Sequence, residues 1–139
     1  MHLILKAAIL LSSIGTIFAC TCLYTPLKER LCRSNFAVIG KVVGTKCTGP
    51  LTNGFCNDDK ILTVAVKEFL KPSQGSSDTI HVITPGNSGL CGVDLPENIL
   101  VLISGYSSYH ISACSGETAL GKDDSDEFTE HRKILENEC

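Results

Sequence analysis

The sequence lacks most of the signatures that would assign it a chemistry. No H-E-x-x-H metal helix and no nucleophile elbow surrounds His81, His110 or His131, so these histidines are expected on strand or helix surfaces rather than in a catalytic centre. No C-x-x-C or Cys/His pair has the spacing of a structural zinc site. The acidic run Asp123, Asp124, Asp126 and Glu127 lacks the Asp-x-Asp-x-Asp-Gly order of a calcium loop and reads as a solvated helix start. Basic residues number 12 against 15 acidic ones, which argues against a nucleic-acid surface. There is no N-x-Ser/Thr sequon, so N-glycosylation is not expected. The chain also has no repeat, no low-complexity tract and no linker, which leaves a matrix-structural role without support.

What is present begins with MHLILKAAILLSSIGTIFA at positions 1–19. Lys6, an apolar run through Ile14 and a small residue at Ala19 make up the pattern of a secretory signal cut before Cys20. The run is too short, and too polar at Ser12-Ser13, for a membrane anchor. A lipoprotein signal would also end on a cysteine, but Phe18 fits it poorly and a lipidated Cys20 would leave an odd number of cysteines. Residues 20–139 suffice for one compact domain and carry 11 basic and 15 acidic residues, a net charge of −4. All eight cysteines (Cys20, Cys22, Cys32, Cys47, Cys56, Cys91, Cys114 and Cys139) lie in this part. An even count behind a secretion signal predicts four disulfides, a secreted extracellular protein and no free thiol nucleophile.

Five segments have strand character: FAVIGKVVG (36–44), ILTVAVKEFL (61–70), TIHVITP (79–85), NILVLISGY (98–106) and YHISAC (109–114). In the second, Leu62, Val64 and Val66 alternate with Thr63, Ala65 and Lys67. Five short strands joined by turn-rich links predict a small β-barrel or sandwich. Helix signals sit at both ends. Thr25 is placed to cap a helix whose first residue is Pro26, before LKERL. Ser125 is placed to cap a second, with Asp126 and Glu127 favoured by the helix dipole and Phe128, His131 and Leu135 forming an apolar stripe for docking.

The opening Cys20-Thr21-Cys22, Cys32 ten residues later, the strand FAVIGKVVG, then LCGV (90–93), ILVLISG (99–105), ISAC (111–114) and Cys139 together resemble the tissue inhibitors of metalloproteinases and, more broadly, the netrin-like domain. The resemblance implies a mainly β fold, a disulfide-rich five-stranded OB-fold barrel with flanking helices, over residues 20–139. It implies bridges Cys20 to Cys91, Cys22 to Cys114 and Cys32 to Cys139. Cys47 and Cys56 are then left between the first two strands, where a local hairpin disulfide is the economical expectation. The chain would be a single-domain member, monomeric, with no cofactor of its own and with matrix metalloproteinases or related zinc endopeptidases as partners.

The resemblance also implies a mechanism. A free α-amine and the carbonyl oxygen of the same residue form a five-membered chelate with a divalent metal. Catalytic zinc in a metalloproteinase keeps a water on its open position, and a chelator that displaces it stops hydrolysis. Cys20 would supply both atoms from its backbone to the partner's zinc. Thr21 would enter the pocket that takes the residue after the scissile bond, and Leu23 and Tyr24 would extend along the cleft beside Cys22. Arg33, Ser88 and Gly89 would complete the contact ridge. The rival reading is a secreted netrin-like module that binds a cell-surface or immune receptor and inhibits no protease; only the inhibitor needs a free Cys20 amine.

Overall fold

The structure is a computed structural model and describes residues 20–72, 76–106 and 108–139. The expected signal, 1–19, lies outside the described residues. Helix α1 (Leu27–Arg33) leads into strands β1 (Phe36–Cys47), β2 (Leu51–Thr52), β3 (Phe55–Cys56), β4 (Asp59–Lys71) and β5 (Thr79–Pro85). A short 3-10 turn (Ser88–Leu90), β6 (Leu100–Gly105), β7 (Glu117–Leu120) and α2 (Asp126–Asn137) follow. The main sheet is antiparallel in the order β5-β4-β1-β6-β7, and β2 and β3 form a separate hairpin turning at Asn53-Gly54.

Alternation along the strands sorts the side chains onto two faces. Phe36, Val38 and Val42 of β1, Leu62 and Val64 of β4, Ile80 and Val82 of β5, and Val101 and Ile103 of β6 meet Ile111 in one buried cluster. Ile39, Leu102 and Ala119 turn the other way and bury Phe128 of α2. The β1–β4 ladder slips register three times, between Ala37 and Val38, Ile39 and Gly40, and Val42 and Gly44. Such irregularities bend long strands and raise their twist. A Cβ at Gly40 would stand 2.4 Å from the Ala65 carbonyl oxygen, so the close approach of the two backbones there requires glycine.

Four expectations are corrected. The fifth strand is Glu117–Leu120 rather than 109–114. Ser108 and Tyr109 take positive φ, which breaks the extended run. Tyr109–Ile111 instead lies parallel beside β5, with Ile83 N–H donating to Tyr109 O and Ile111 N–H to Ile83 O, both at 2.9 Å. Among the described residues this short segment joins edge strand β5 to Tyr106, just past β6, and no continuous ladder closes the sheet. The first helix starts at Leu27, with Pro26 rather than Thr25 at the cap and no side-chain cap bond. In α2 the buried stripe is Phe128, His131 and Ile134, with Leu135 only half-buried. His131 is thus a core residue and not a surface one; its Nδ1 lies 2.6 Å from Glu127 O.

Ser125 caps α2 as expected, its hydroxyl accepting from Phe128 N–H at 3.4 Å. The acidic residue before it is tied into the sheet: Asp123 pairs with Lys67 at 2.5 Å and with Arg132 at 3.0 Å, and Arg132 reaches Glu68 at 2.7 Å. Helix α1 packs against α2 and β7. Arg30 and Glu117 form an ion pair at 2.8 Å, and Cys32 is bonded to the terminal Cys139.

Candidate functional site

Residues 20–26 form no helix or strand. Two covalent ties compensate: Cys20 is bonded to Cys91 and Cys22 to Cys114, each with Cα atoms 5.1 Å apart. The loops closed span 71 and 92 residues, and in the chain-entropy account each such bridge stabilises the fold by about 4–5 kcal/mol. The two bridges touch, with Cys20 Sγ 3.4 Å from Cys114 Sγ. The segments that receive them are joined by backbone as well, since Ala113 N–H donates to Cys91 O at 2.8 Å. Both ends of Cys20-Thr21-Cys22 are therefore anchored to one platform.

That platform is built from polar turns. Asn87 opens the 3-10 turn, its side-chain oxygen accepting from Leu90 N–H at 3.1 Å, while its Nδ2 donates to Cys56 O at 3.3 Å. Cys91 closes the turn at φ 66, and Gly92 N–H returns to Asn87 O at 2.9 Å. A Cβ at Gly92 would lie 2.0 Å from Pro85 O, so this return needs glycine. At the other anchor the Ser112 and Ser115 hydroxyls meet at 2.8 Å, and Ser112 Oγ accepts from Cys114 N–H at 3.2 Å. The fourth bridge, Cys47 to Cys56, clamps the base of the β2–β3 hairpin on which Asn87 leans.

The result is a rigid base with exposed side chains on it. Thr21, Cys22, Ser88 and Gly89 are exposed, and Leu23 and Tyr24 are 94% and 91% exposed. Large apolar groups so bare are informative when they cluster, and Leu90, beside Ser88 and Gly89, is exposed too. The structure thus brings Cys20, Thr21, Cys22 and Leu23 together with Ser88 and Gly89 through the Cys20–Cys91 bridge. Arg33 sits elsewhere, on the last turn of α1, where it pairs with Glu29 at 2.5 Å. Asn87 escaped the sequence reading, although an asparagine before Ser-Gly is a turn-forming signal.

Cys20, Cys91 and Cys114 place their sulfurs within 4.8 Å of one another. All three are held in disulfides, so they offer no thiolate to a metal. The shifted titrating groups belong to the α2–β4 contact and not to this ridge. The hydrogen bond from Lys67, then that from Arg132, holds the Asp123 carboxyl below its usual range. The hydrogen bond to Glu68 raises Arg132 further.

No described helix is long and apolar enough to cross a membrane. A comparison with individual curated proteins gives no match. The family model described as tissue inhibitor of metalloproteinase, in contrast, matches residues 18–116, a span that contains the tied N-terminal segment, the 3-10 turn and both receiving anchors. Proteins of that family are secreted inhibitors of metalloproteinases rather than enzymes. Because this match takes in well over half of the sequence, and the five-stranded sheet with flanking helices and four disulfides agrees with it, the chain belongs to the tissue inhibitor of metalloproteinase family.

Proposed function

We propose that the chain, once cut after Ala19, inhibits zinc metalloproteinases by laying Cys20-Thr21-Cys22 into the active-site cleft, where the Cys20 amine and carbonyl bind the catalytic zinc. The observation that carries this reading is the double anchoring of residues 20 and 22 to a single platform on which Thr21, Leu23 and Tyr24 are exposed. A segment fixed before it binds loses little conformational entropy on binding. The disulfide occupies the Cys20 sulfur, so the backbone amine and carbonyl are the donors this residue has left. Thr21 supplies a short polar side chain for the pocket that takes the residue after the scissile bond. Leu23 and Tyr24 add apolar area along the cleft, with Ser88 and Gly89 alongside.

The amine must be unprotonated to bind a metal. A free α-amine titrates near ~7.7–8.0 and the metal competes with the proton, so inhibition holds at neutral pH and weakens in acid. The test is a titration of the disulfide-intact protein against a panel of matrix metalloproteinases, beside the same protein carrying one extra alanine before Cys20. Inhibition by the first form and its loss in the second supports the chelating wedge. Undiminished inhibition by the extended or N-acetylated protein overturns it. No inhibition by a protein whose Cys20 amine is verified free by mass spectrometry points to the receptor-binding module instead.

A further inference from the structure

Beneath the ridge a cation sits where a lone charge is costly. Lys60, the second residue of β4, lies on the face that Leu62 and Val64 turn to the core, and only 11% of its side chain is exposed. An ammonium so placed needs a charged or hydrogen-bonding partner. Lys60 Nζ donates to Oδ1 of Asp94, whose own side chain is 80% exposed. Asp94 lies three residues after Cys91, in a coil that belongs to no strand of the sheet. The neighbour of Lys60 in register, Thr84, is fully buried and accepts Val93 N–H on its hydroxyl at 2.9 Å. Val93 and Leu95 flank Asp94 and pack against the core cluster.

We propose that Lys60 and Asp94 are positioning residues for the ridge: their pair fixes the coil after Cys91, and through the Cys20–Cys91 bridge it fixes the backbone of Cys20. The inference rests on the wedge reading above. The Gly92 N–H to Asn87 O and Val93 N–H to Thr84 hydroxyl bonds direct the start of the coil, whereas the apolar contact of Leu95 beyond it is non-directional. A charge-assisted hydrogen bond adds direction and is roughly twice as strong as a neutral one. Conformations in which Asp94 swings away strand a nearly buried ammonium, so they are selected against. Chelation demands this kind of placement, since a displacement of about 1 Å at a reacting centre can cost on the order of a hundredfold.

The test compares Lys60→Met, Asp94→Asn, the double variant and Lys60→Arg in the full disulfide-bonded protein. Lys60→Met keeps the buried stem and leaves no stranded charge, so it should fold even if Asp94→Asn does not. Its complex with a metalloproteinase is expected to dissociate about tenfold faster with an unchanged association rate and an unchanged melting temperature. Hydrogen exchange at the Gly92, Val93 and Ala113 amides is expected to quicken, the double variant to behave like Lys60→Met, since neither strands a charge, and Lys60→Arg to restore part of the loss. Unchanged dissociation and exchange in Lys60→Met overturns the proposal, as does faster dissociation that merely tracks a lowered melting temperature. If the wild-type protein inhibits no protease, the wedge reading fails. The exchange measurement then still decides whether the pair holds the coil: unchanged exchange overturns that too, and faster exchange supports it.

Discussion

The ridge at Cys20–Tyr24 and helix α2 lie at opposite ends of the described residues and are fastened differently, the ridge by its two disulfides and helix α2 mainly by burial, with the Cys32–Cys139 bridge just beyond it. Helix α2 buries Phe128, His131 and Ile134 and adds ion pairs from Asp123 and Arg132 to β4. The ridge buries almost nothing: it is held by two disulfides and a set of turn hydrogen bonds, with Leu23 and Tyr24 nearly bare. A segment docked by the hydrophobic effect must hide the side chains that dock it. A segment docked covalently keeps them for something else. The contrast separates the part of the chain that stabilises from the part that recognises.

The largest expected effect comes from removing a covalent tie. The Cys22→Ser/Cys114→Ser pair reopens a 92-residue loop, with an expected loss of about 4–5 kcal/mol in a denaturant titration, and it frees one end of the ridge. Inhibition should fall more steeply than the folded fraction does. Phe128→Ala is its counterpart on the other side. It empties a fully buried site between Ile39, Leu102 and Ala119 and should cost about 3–5 kcal/mol, while the protein that remains folded inhibits as well as wild type. If Phe128→Ala weakens inhibition as much as it weakens the fold, the two regions are not separable.

The two regions also differ in how far the sequence revealed them. The strands were legible wherever alternation or a β-branched run was long, as in 79–85, which is a strand over those same residues. The stretch 109–114 misled because its alternation is interrupted by backbone: Ser108 and Tyr109 at positive φ are invisible to a count of apolar residues. In α2 the stripe slipped from Leu135 to Ile134, since neighbours 100° apart both lie near a helix's apolar face and the groove decides between them. Neither Lys60 nor Asn87 stood out. A lysine just before the expected strand 61–70 reads as solvated until its stem is seen in the core, and the polar turns under Cys91 depend on contacts between residues about 30 apart in sequence. The ridge itself was approached through the cysteine spacing and the family resemblance, not through periodicity.

A finer break of the comparison substitutes the bare side chains. Tyr24→Ala should change stability by no more than about 0.5 kcal/mol, because an exposed side chain away from special features contributes little. On the proposed reading the same change should weaken inhibition by about tenfold, the scale of an aromatic interface residue. A melting curve and an inhibition titration on one sample check both halves. A variant that melts early and inhibits normally would assign Tyr24 to the fold and not to recognition.

The smallest effect tests the electrostatic side of the helix. Asp123 is exposed, yet its carboxyl is held below the usual range, first by the hydrogen bond from Lys67 and then by that from Arg132. An acid whose folded pKa is depressed takes up its proton more readily when unfolded. Its contribution is therefore complete above the unfolded value of ~3.9 and is lost as pH falls below it through the lower folded value. Arg132, raised by Glu68, stays charged throughout and adds no alkaline limb. Asp123→Asn should accordingly flatten the stability profile below about pH 4, with little change at neutral pH, where exposed pairs are screened. Acid titrations of both proteins at low and high salt read this directly, and a wild-type profile as flat as the variant's would mean that the Asp123 pairs add nothing to what the buried Phe128, His131 and Ile134 and the Cys32–Cys139 bridge supply. The ridge offers an internal control, because disulfides fasten Cys20 and Cys22, and inhibition near neutral pH should not distinguish Asp123→Asn from wild type.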